Sequence, residues 1–419
     1  MAIGYGAWDF YASRLVKREY TRIREKGAPL YFSEVIRNTV PDQDNAALLY
    51  IQASQELKLP AGYAFQITAP QSEKAAIIRD NPKVMQLIER ASALSQCRFP
   101  VESGADPNTW LNPYLTKSRE LARFIRLNAY DNARRKDYDK AFQQIGFIYQ
   151  LAERVGNGDT LIDFLVARAI YSMGIHTAST ILHKERFTKA QAQKYFSLLP
   201  ALDWHALFLH SLRNERAFTI SSYTYNLADI WNRRISEDEL PDWDDTEDKE
   251  FKHRGFLTRP LLKLDEMYAL RLWTKVLLAA QKPGAIDTDY EKQLEENLDQ
   301  LPLYAKGTRN IHETFVRVFT NRDYPETSQY QQEIAFALNA YKTEQGTYPS
   351  TLAQAEQFWG SKFPLDPYTN RPFLYRADKD NFTLYSVGID RVDNGGIKQP
   401  EGKWDFSKIN DLIWGNYPP

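Results

Sequence analysis

The chain has 419 residues and a mass of 48.6 kDa, with 43% hydrophobic and 26% charged residues. That is enough apolar material for roughly two or three packed domains and excludes a wholly disordered chain. Lys plus Arg (53) balances Asp plus Glu (54), which excludes a global pull towards nucleic acid or anionic lipid, and the single Cys excludes an intrachain disulfide framework or a Cys-based zinc cluster.

No stretch reaches the ~18 apolar residues that span a bilayer, and no signal-peptide pattern opens the chain. Met1 to Tyr11, MAIGYGAWDFY, precede a helix rich in Arg and Lys. They read either as an ordinary amphipathic start or as the end of an anchor lying upstream, because aromatic residues gather where helices leave a membrane.

The first ~320 residues read as helices joined by short loops, with no period-2 stretch long enough to force a sheet. Residues 5–26 form a polar helix stopped by Gly27 and Pro29. Residues 42–57 form a second, 60–70 an aromatic loop, and 81–94 a helix with Pro82 in its first turn. The strongest pattern lies in 113–183. Leu121, Phe124, Ile125 and Ala129 share one helical face; Ala141, Ile145, Ile148, Ala152 and Val155 share the next; Ile162, Leu165, Ala169 and Met173 a third. Breaks at Asp137–Tyr138 and at Gly156-Asn157-Gly158-Asp159 turn these into antiparallel hairpins. The block resembles tetratricopeptide-type helical arrays, in an irregular form without a fixed repeat. Further helices fit 188–199 and 203–232. Residues 236–250, SEDELPDWDDTEDKE, read as a solvated acidic connector, with a divalent-ion site at Asp242, Asp244, Asp245 and Glu247 as the other reading. Helices resume at 257–282 and 287–300.

Composition shifts after Glu326. A helix over 327–344 places Tyr330, Ile334, Ala337, Leu338 and Tyr341 on one face and ends at Gly346; a short helix covers 352–359. Phe373–Arg376 and Phe382–Val387 alternate as two strands around the turn at Asp378–Asn381. The expected fold is thus mainly α: a helical body over 1–320, divisible near 236–250, followed by a small α+β domain over 327–419.

The tail motifs AYKTEQGTYPSTL (340–352), FPLDPYTNRPFLYR (363–376), LYSVGID (384–390) and RVDNGG (391–396) resemble, in order and spacing, the globular part of the major pseudopilin of type II secretion. The resemblance covers about a fifth of the chain. It implies a calcium ion in the last loop, with Asp390 and Asp393 as side-chain ligands, Asp405 as a third, and carbonyls near Leu384 and Ser386 completing the shell. The chemistry of the residues agrees: calcium takes six to eight oxygen ligands, and Asn394-Gly395-Gly396 lets the backbone curl back. The other reading is a type I turn capped by Asp without an ion. Arg391 and the acid-poor segment Ile397 to Trp404 depart from the pattern. A pilin polymerises through a long apolar helix at its N-terminus; here the helix opening the unit is half polar and the whole body precedes it, so the unit reads as a rigid cap or contact module. The whole layout, with PDQDNAALLY (41–50) and CRFP (97–100), also resembles uncharacterised bacterial proteins that are often membrane-anchored.

Catalytic motifs are sparse. His205 and His210 lie about 140° apart on a helix, and His176 and His183 about 10 Å apart along one, so neither pair suits one metal. Asp203 suits an N-cap. Gly156-Asn157-Gly158 lacks a phosphate-loop lysine and reads as a turn. Cys97 beside Arg98 reads as a semi-buried thiol, with a lowered pKa as the competing reading. Arg213, Glu215 and Arg216 read as an ion-paired helix face or as an anion-binding patch. The expectation is a non-enzymatic interaction or scaffold protein of the bacterial cell envelope, with calcium clamping the tail. Its partners are other proteins, not nucleic acid, and a membrane is met only through an upstream anchor. Two alternatives remain: a hydrolase-type enzyme with a site between helices around His210, Arg213 and Glu215, and a secretion-linked adaptor.

Overall fold

A computed structural model describes residues 2–35, 40–60, 70–100, 113–232, 255–281, 301–319, 322–397 and 411–416. The protein is mainly helical and ends in a small three-stranded antiparallel sheet. The acidic connector, the helix expected at 287–300 and most of the 60–70 loop lie outside the described residues. Among the described residues no strand lies ahead of Leu374, and no helix is long and apolar enough to cross a membrane.

The trunk opens with α1 (Ala2–Glu25), α2 (Ala46–Glu56), α3 (Gln71–Asp80) and α4 (Pro82–Ala93). Asn45 caps α2 by accepting from Ala47 N, and its side chain also grips both sides of Arg98, accepting from Arg98 N at 2.8 Å and donating to Arg98 O at 2.9 Å. Helices α5 (Tyr114–Arg134), α6 (Tyr138–Gly156) and α7 (Leu161–Lys184) pack each on the other two. Helices α5 and α6 use their expected apolar stripes, but α7 buries Phe164, Ala167, Ile170 and Tyr171 and leaves Ile162 of its expected face 55% exposed. Helix α6 starts at the Asp137 cap and α7 at a reciprocal capping box between Thr160 and Asp163. One approach demands a glycine: a Cβ on Gly174 of α7 would lie 2.3 Å from the Tyr149 ring of α6.

Helix α8 (Lys189–Ser197) and α9 (Trp204–Asn232) follow. Helix α9 is apolar on more than one side because it bridges two cores. Leu207, Phe208 and Leu212 join the large core of α2, α4–α8 and the tail; Ile220 joins a smaller core with Val16 and Ile23 of α1. Helix α10 (Gly255–Ala280) completes that smaller core with Met267 and Leu270. Polar side chains also tie α10 to α1: Lys263 Nζ donates to Asp9 Oδ1 at 2.7 Å, Tyr20 OH donates to Glu266, and Arg271 pairs with Glu19 at 3.1 Å. Asp265 caps α11 (Lys306–Phe319), accepting from Gly307 N and Thr308 N at 2.9 and 3.0 Å.

The tail begins with α12 (Tyr324–Gln345), three residues earlier than periodicity predicts, with Pro325 in its first turn. Gly346 ends it at φ +77°, a left-handed cap. Helix α13 (Leu352–Trp359) leads to β1 (Leu374–Ala377) and β2 (Phe382–Ser386), paired from Leu374↔Tyr385 to Ala377↔Phe382. Strand β3 (Leu412–Ile413), absent from the sequence reading, adds on the far side of β2. Gln331 of α12 donates to Leu412 O at 2.7 Å and so joins helix to sheet.

Helix α12 belongs equally to the trunk. Ile334, Phe336 and Leu338 sit in the same continuous core as α6 to α8, where the Phe142 ring lies 4.9 Å from Tyr195 and 5.4 Å from Phe336. Polar contacts cross the same seam: Tyr149 OH donates to Gln332 at 2.8 Å in a buried bond, and Tyr171 OH to Gln329 at 3.1 Å in a partly buried one.

Candidate functional site

Strand β2 runs into the loop expected to hold calcium. Ser386 closes the strand with its hydroxyl 2.9 Å from both carboxylate oxygens of the buried Asp366. Asp366 also accepts from Tyr368 N and Thr369 Oγ1, so this acid organises the turn at 366–371 beneath the loop. Beyond Ser386, Gly388, Arg391, Gly395 and Gly396 all have positive φ. Gly396 also has no room for a side chain, because its Cβ would lie 2.8 Å from the Tyr385 ring.

The curl carries two acids and is held by a third. Asp390 and Asp393 are exposed on the loop. Asp390 Oδ1 accepts from Val392 N at 3.1 Å; Asp393 Oδ1 accepts from Tyr385 OH at 3.0 Å and Gly395 N at 2.8 Å. Asp405 lies outside the described residues. Asp411, which the sequence reading missed, accepts from Asn394 N at 3.3 Å and Gly396 N at 2.6 Å. Burial pushes the Asp411 carboxyl above the usual carboxylate range, and the charges of Asp393 and Asp390 add to the shift against the opposing backbone hydrogen bonds. Only its place just ahead of the apolar Leu412-Ile413-Trp414 run distinguished it in the sequence.

The donor set is hard oxygen throughout, the kind of ligand calcium takes. In kind, the residues therefore fit calcium. Among the described residues, no three His, Cys, Asp or Glu side chains form a group that could hold a metal ion. Of the carbonyls expected to complete the shell, Leu384 O already accepts from Trp414 N at 2.9 Å in the sheet.

The trunk residues weighed for catalysis separate. Glu215 turns towards α7, where it accepts from Leu161 N at 2.9 Å, and burial raises its carboxyl pKa. His210 and Arg213 instead face a cleft between the end of α1, α9 and α10. His210 Nε2 lies 3.1 Å from Gly158 O and 3.0 Å from Asn214 Nδ2, so it braces the α6–α7 turn. Asp203 caps α9, accepting from Ala206 N at 2.8 Å. Cys97 is not activated: burial pushes its thiol up to about 11, against the opposing influence of Arg154. Arg98, the activator in the competing reading, forms a bidentate pair with Asp159 instead. The acidic residues Asp242, Asp244, Asp245 and Glu247 lie outside the described residues. In comparisons with known proteins, no family model, no curated protein and no solved structure matches the chain.

Proposed function

We propose that the protein is an interaction or scaffold protein of the bacterial cell envelope, in which the helical trunk presents the α+β tail and calcium clamps the tail's last loop. The observation that carries this reading is the composition of that loop. Beside its carboxylates it exposes two apolar side chains, Val392 at 56% and Ile397 at 78%. Apolar residues held in solvent on a structured loop suit burial against another protein. The shared core of α12 supports the same reading, because it prevents the tail from swinging on the trunk.

Asp390, Asp393 and Asp405 are the proposed side-chain ligands, with Asp411, just ahead of β3, bracing the loop. Calcium bound there supplies charge neutralisation and cross-links the loop; it takes no part in chemistry. An extracytoplasmic setting suits the reading, because low-affinity sites of this kind fill at calcium concentrations of about 0.1–1 mM.

The test is a thermal melt of the full chain with calcium and with chelator, repeated for Asp390→Ala and Asp393→Ala. Calcium raises the melting temperature of the parent chain and not of the variants. Melting that ignores both calcium and the substitutions rejects the clamp.

A further inference from the structure

The cleft between the end of α1, α9 and α10 has a volume of about 1160 Å³ and is lined chiefly by basic and apolar side chains. Its charges are unequally matched. Arg24 is neutralised by a bidentate bond to Glu34. Arg22 and Arg271 share a single carboxylate, Glu19, at 2.8 and 3.1 Å. Arg213 and Arg216 project from successive turns of α9, and the acid between them in sequence, Glu215, is turned away to cap α7.

Arg216 is the anomalous residue. It is only 5% exposed, yet it lines the cleft. Among the described residues its Nε has no hydrogen-bond partner, while Nη2 reaches Pro29 O at a long 3.4 Å. Burial, and then the neighbouring charge of Arg213, pull its pKa down to about 10. A buried guanidinium beside a second guanidinium costs free energy unless an anion offsets both.

The geometry points to a binding site in this cleft for a phosphoryl-bearing small molecule, with Arg216 and Arg213 of α9 holding the phosphoryl oxygens and Arg271 of α10 facing them. Guanidinium forks match phosphoryl oxygens in geometry and charge. The volume far exceeds what an inorganic ion fills and lies just above the ~300–1,000 Å³ typical of organic-ligand pockets. Ile23, Val35 and Leu277 supply apolar wall for the organic part. The site is independent of the tail loop and of calcium.

Isothermal titration of the full chain with inorganic pyrophosphate at low ionic strength tests it. Saturable binding is expected, weakened about tenfold or more by Arg216→Gln and by Arg213→Gln, the loss expected for a charge-assisted hydrogen bond. Lys117→Gln, which removes an exposed charge paired with Glu120 on α5, leaves binding unchanged. Arg213 is exposed, so its variant keeps the test valid if Arg216→Gln fails to fold. Absence of saturable binding, or equal affinity in the parent chain and Arg213→Gln, overturns the assignment. Binding to anionic phospholipid vesicles without binding to pyrophosphate also overturns it, in favour of a membrane surface.

Discussion

Asn339 of α12 accepts the backbone N–H of Phe187 at 3.0 Å, across 152 positions of sequence. The same side chain donates to Leu182 O at 2.7 Å and Glu185 O at 2.8 Å. One buried amide thereby satisfies the C-terminal end of α7, whose last carbonyls have no partner within the helix. Asn339→Leu should destabilise the chain by about 2–4 kcal/mol, because it strands a buried N–H and two carbonyls. Asn339→Asp keeps the acceptor and loses the donors, so it should fall between. Urea denaturation followed by circular dichroism measures both; an unchanged midpoint for Asn339→Leu refutes this account.

Arg98 and Asp159 form a second long-range clasp, with side-chain nitrogens 2.8 and 2.5 Å from the two carboxylate oxygens. Asp159 is 3% exposed, so removing the arginine leaves a buried charge without its partner. Arg98→Ala should cost about 3–5 kcal/mol, and the double variant Arg98→Ala/Asp159→Ala less than the sum of the singles. Additive losses in the double-mutant cycle would show that the two side chains do not interact.

Glu266 gives the α1–α10 contact a pH dependence. Burial, with Asp265 adding to it, raises its carboxyl pKa to about 7, against the opposing influence of Tyr20 and Lys263. The folded-state value lies above the unfolded value of about 4.3. Between those values the folded chain holds more protons than the unfolded chain, so stability falls as pH rises through the window and levels off above it. From pH 5.5 to 8 the parent chain should lose about 2 kcal/mol relative to Glu266→Gln, which lacks this titration. Identical pH slopes for the two proteins would refute the assignment.

Gly174 sets how closely α6 and α7 approach. Gly174→Ala forces the buried Tyr149 ring to move and strains its bond to Gln332, at a cost of about 1–3 kcal/mol despite alanine's better helix propensity. Thermal melting detects it, and a stabilised variant would mean the ring yields freely.

Cys97 should react slowly with a thiol reagent at pH 8, because its thiol titrates near 11. Rates equal to those of an unfolded control would show that burial does not protect it.

Legibility in the sequence followed how completely each segment commits to one environment. Helices α5 and α6 bury the stripes legible from period, and the β1–β2 hairpin was readable from alternation. Helix α7 instead buries Phe164, Ala167, Ile170 and Tyr171 rather than the expected face, because an apolar residue stands on nearly every side of it. Helix α3 buries only Ile77, so it leaves no stripe, and β3 is two residues long with its partner strand far upstream. At the candidate sites, Asp390 and Asp393 announced themselves beside paired glycines, whereas Asp411 joins them only through sheet closure. Arg213, Glu215 and Arg216 look like a solvated face because nothing local reveals that α9 is covered on two sides; tertiary packing buries Arg216 and sends Glu215 to α7.

The shared seam between α12 and α6–α8 also constrains how the chain is made. The ribosome emits helices α6 to α8 well before α12, so Phe142, Tyr149 and Tyr171 wait for Phe336, Gln332 and Gln329 to be translated. A nascent chain stalled before Tyr324 carries an open greasy slot at its centre, where chaperones or a second nascent chain would bind. Shortening the protein from its C-terminus therefore removes a keystone of the trunk rather than an appendage.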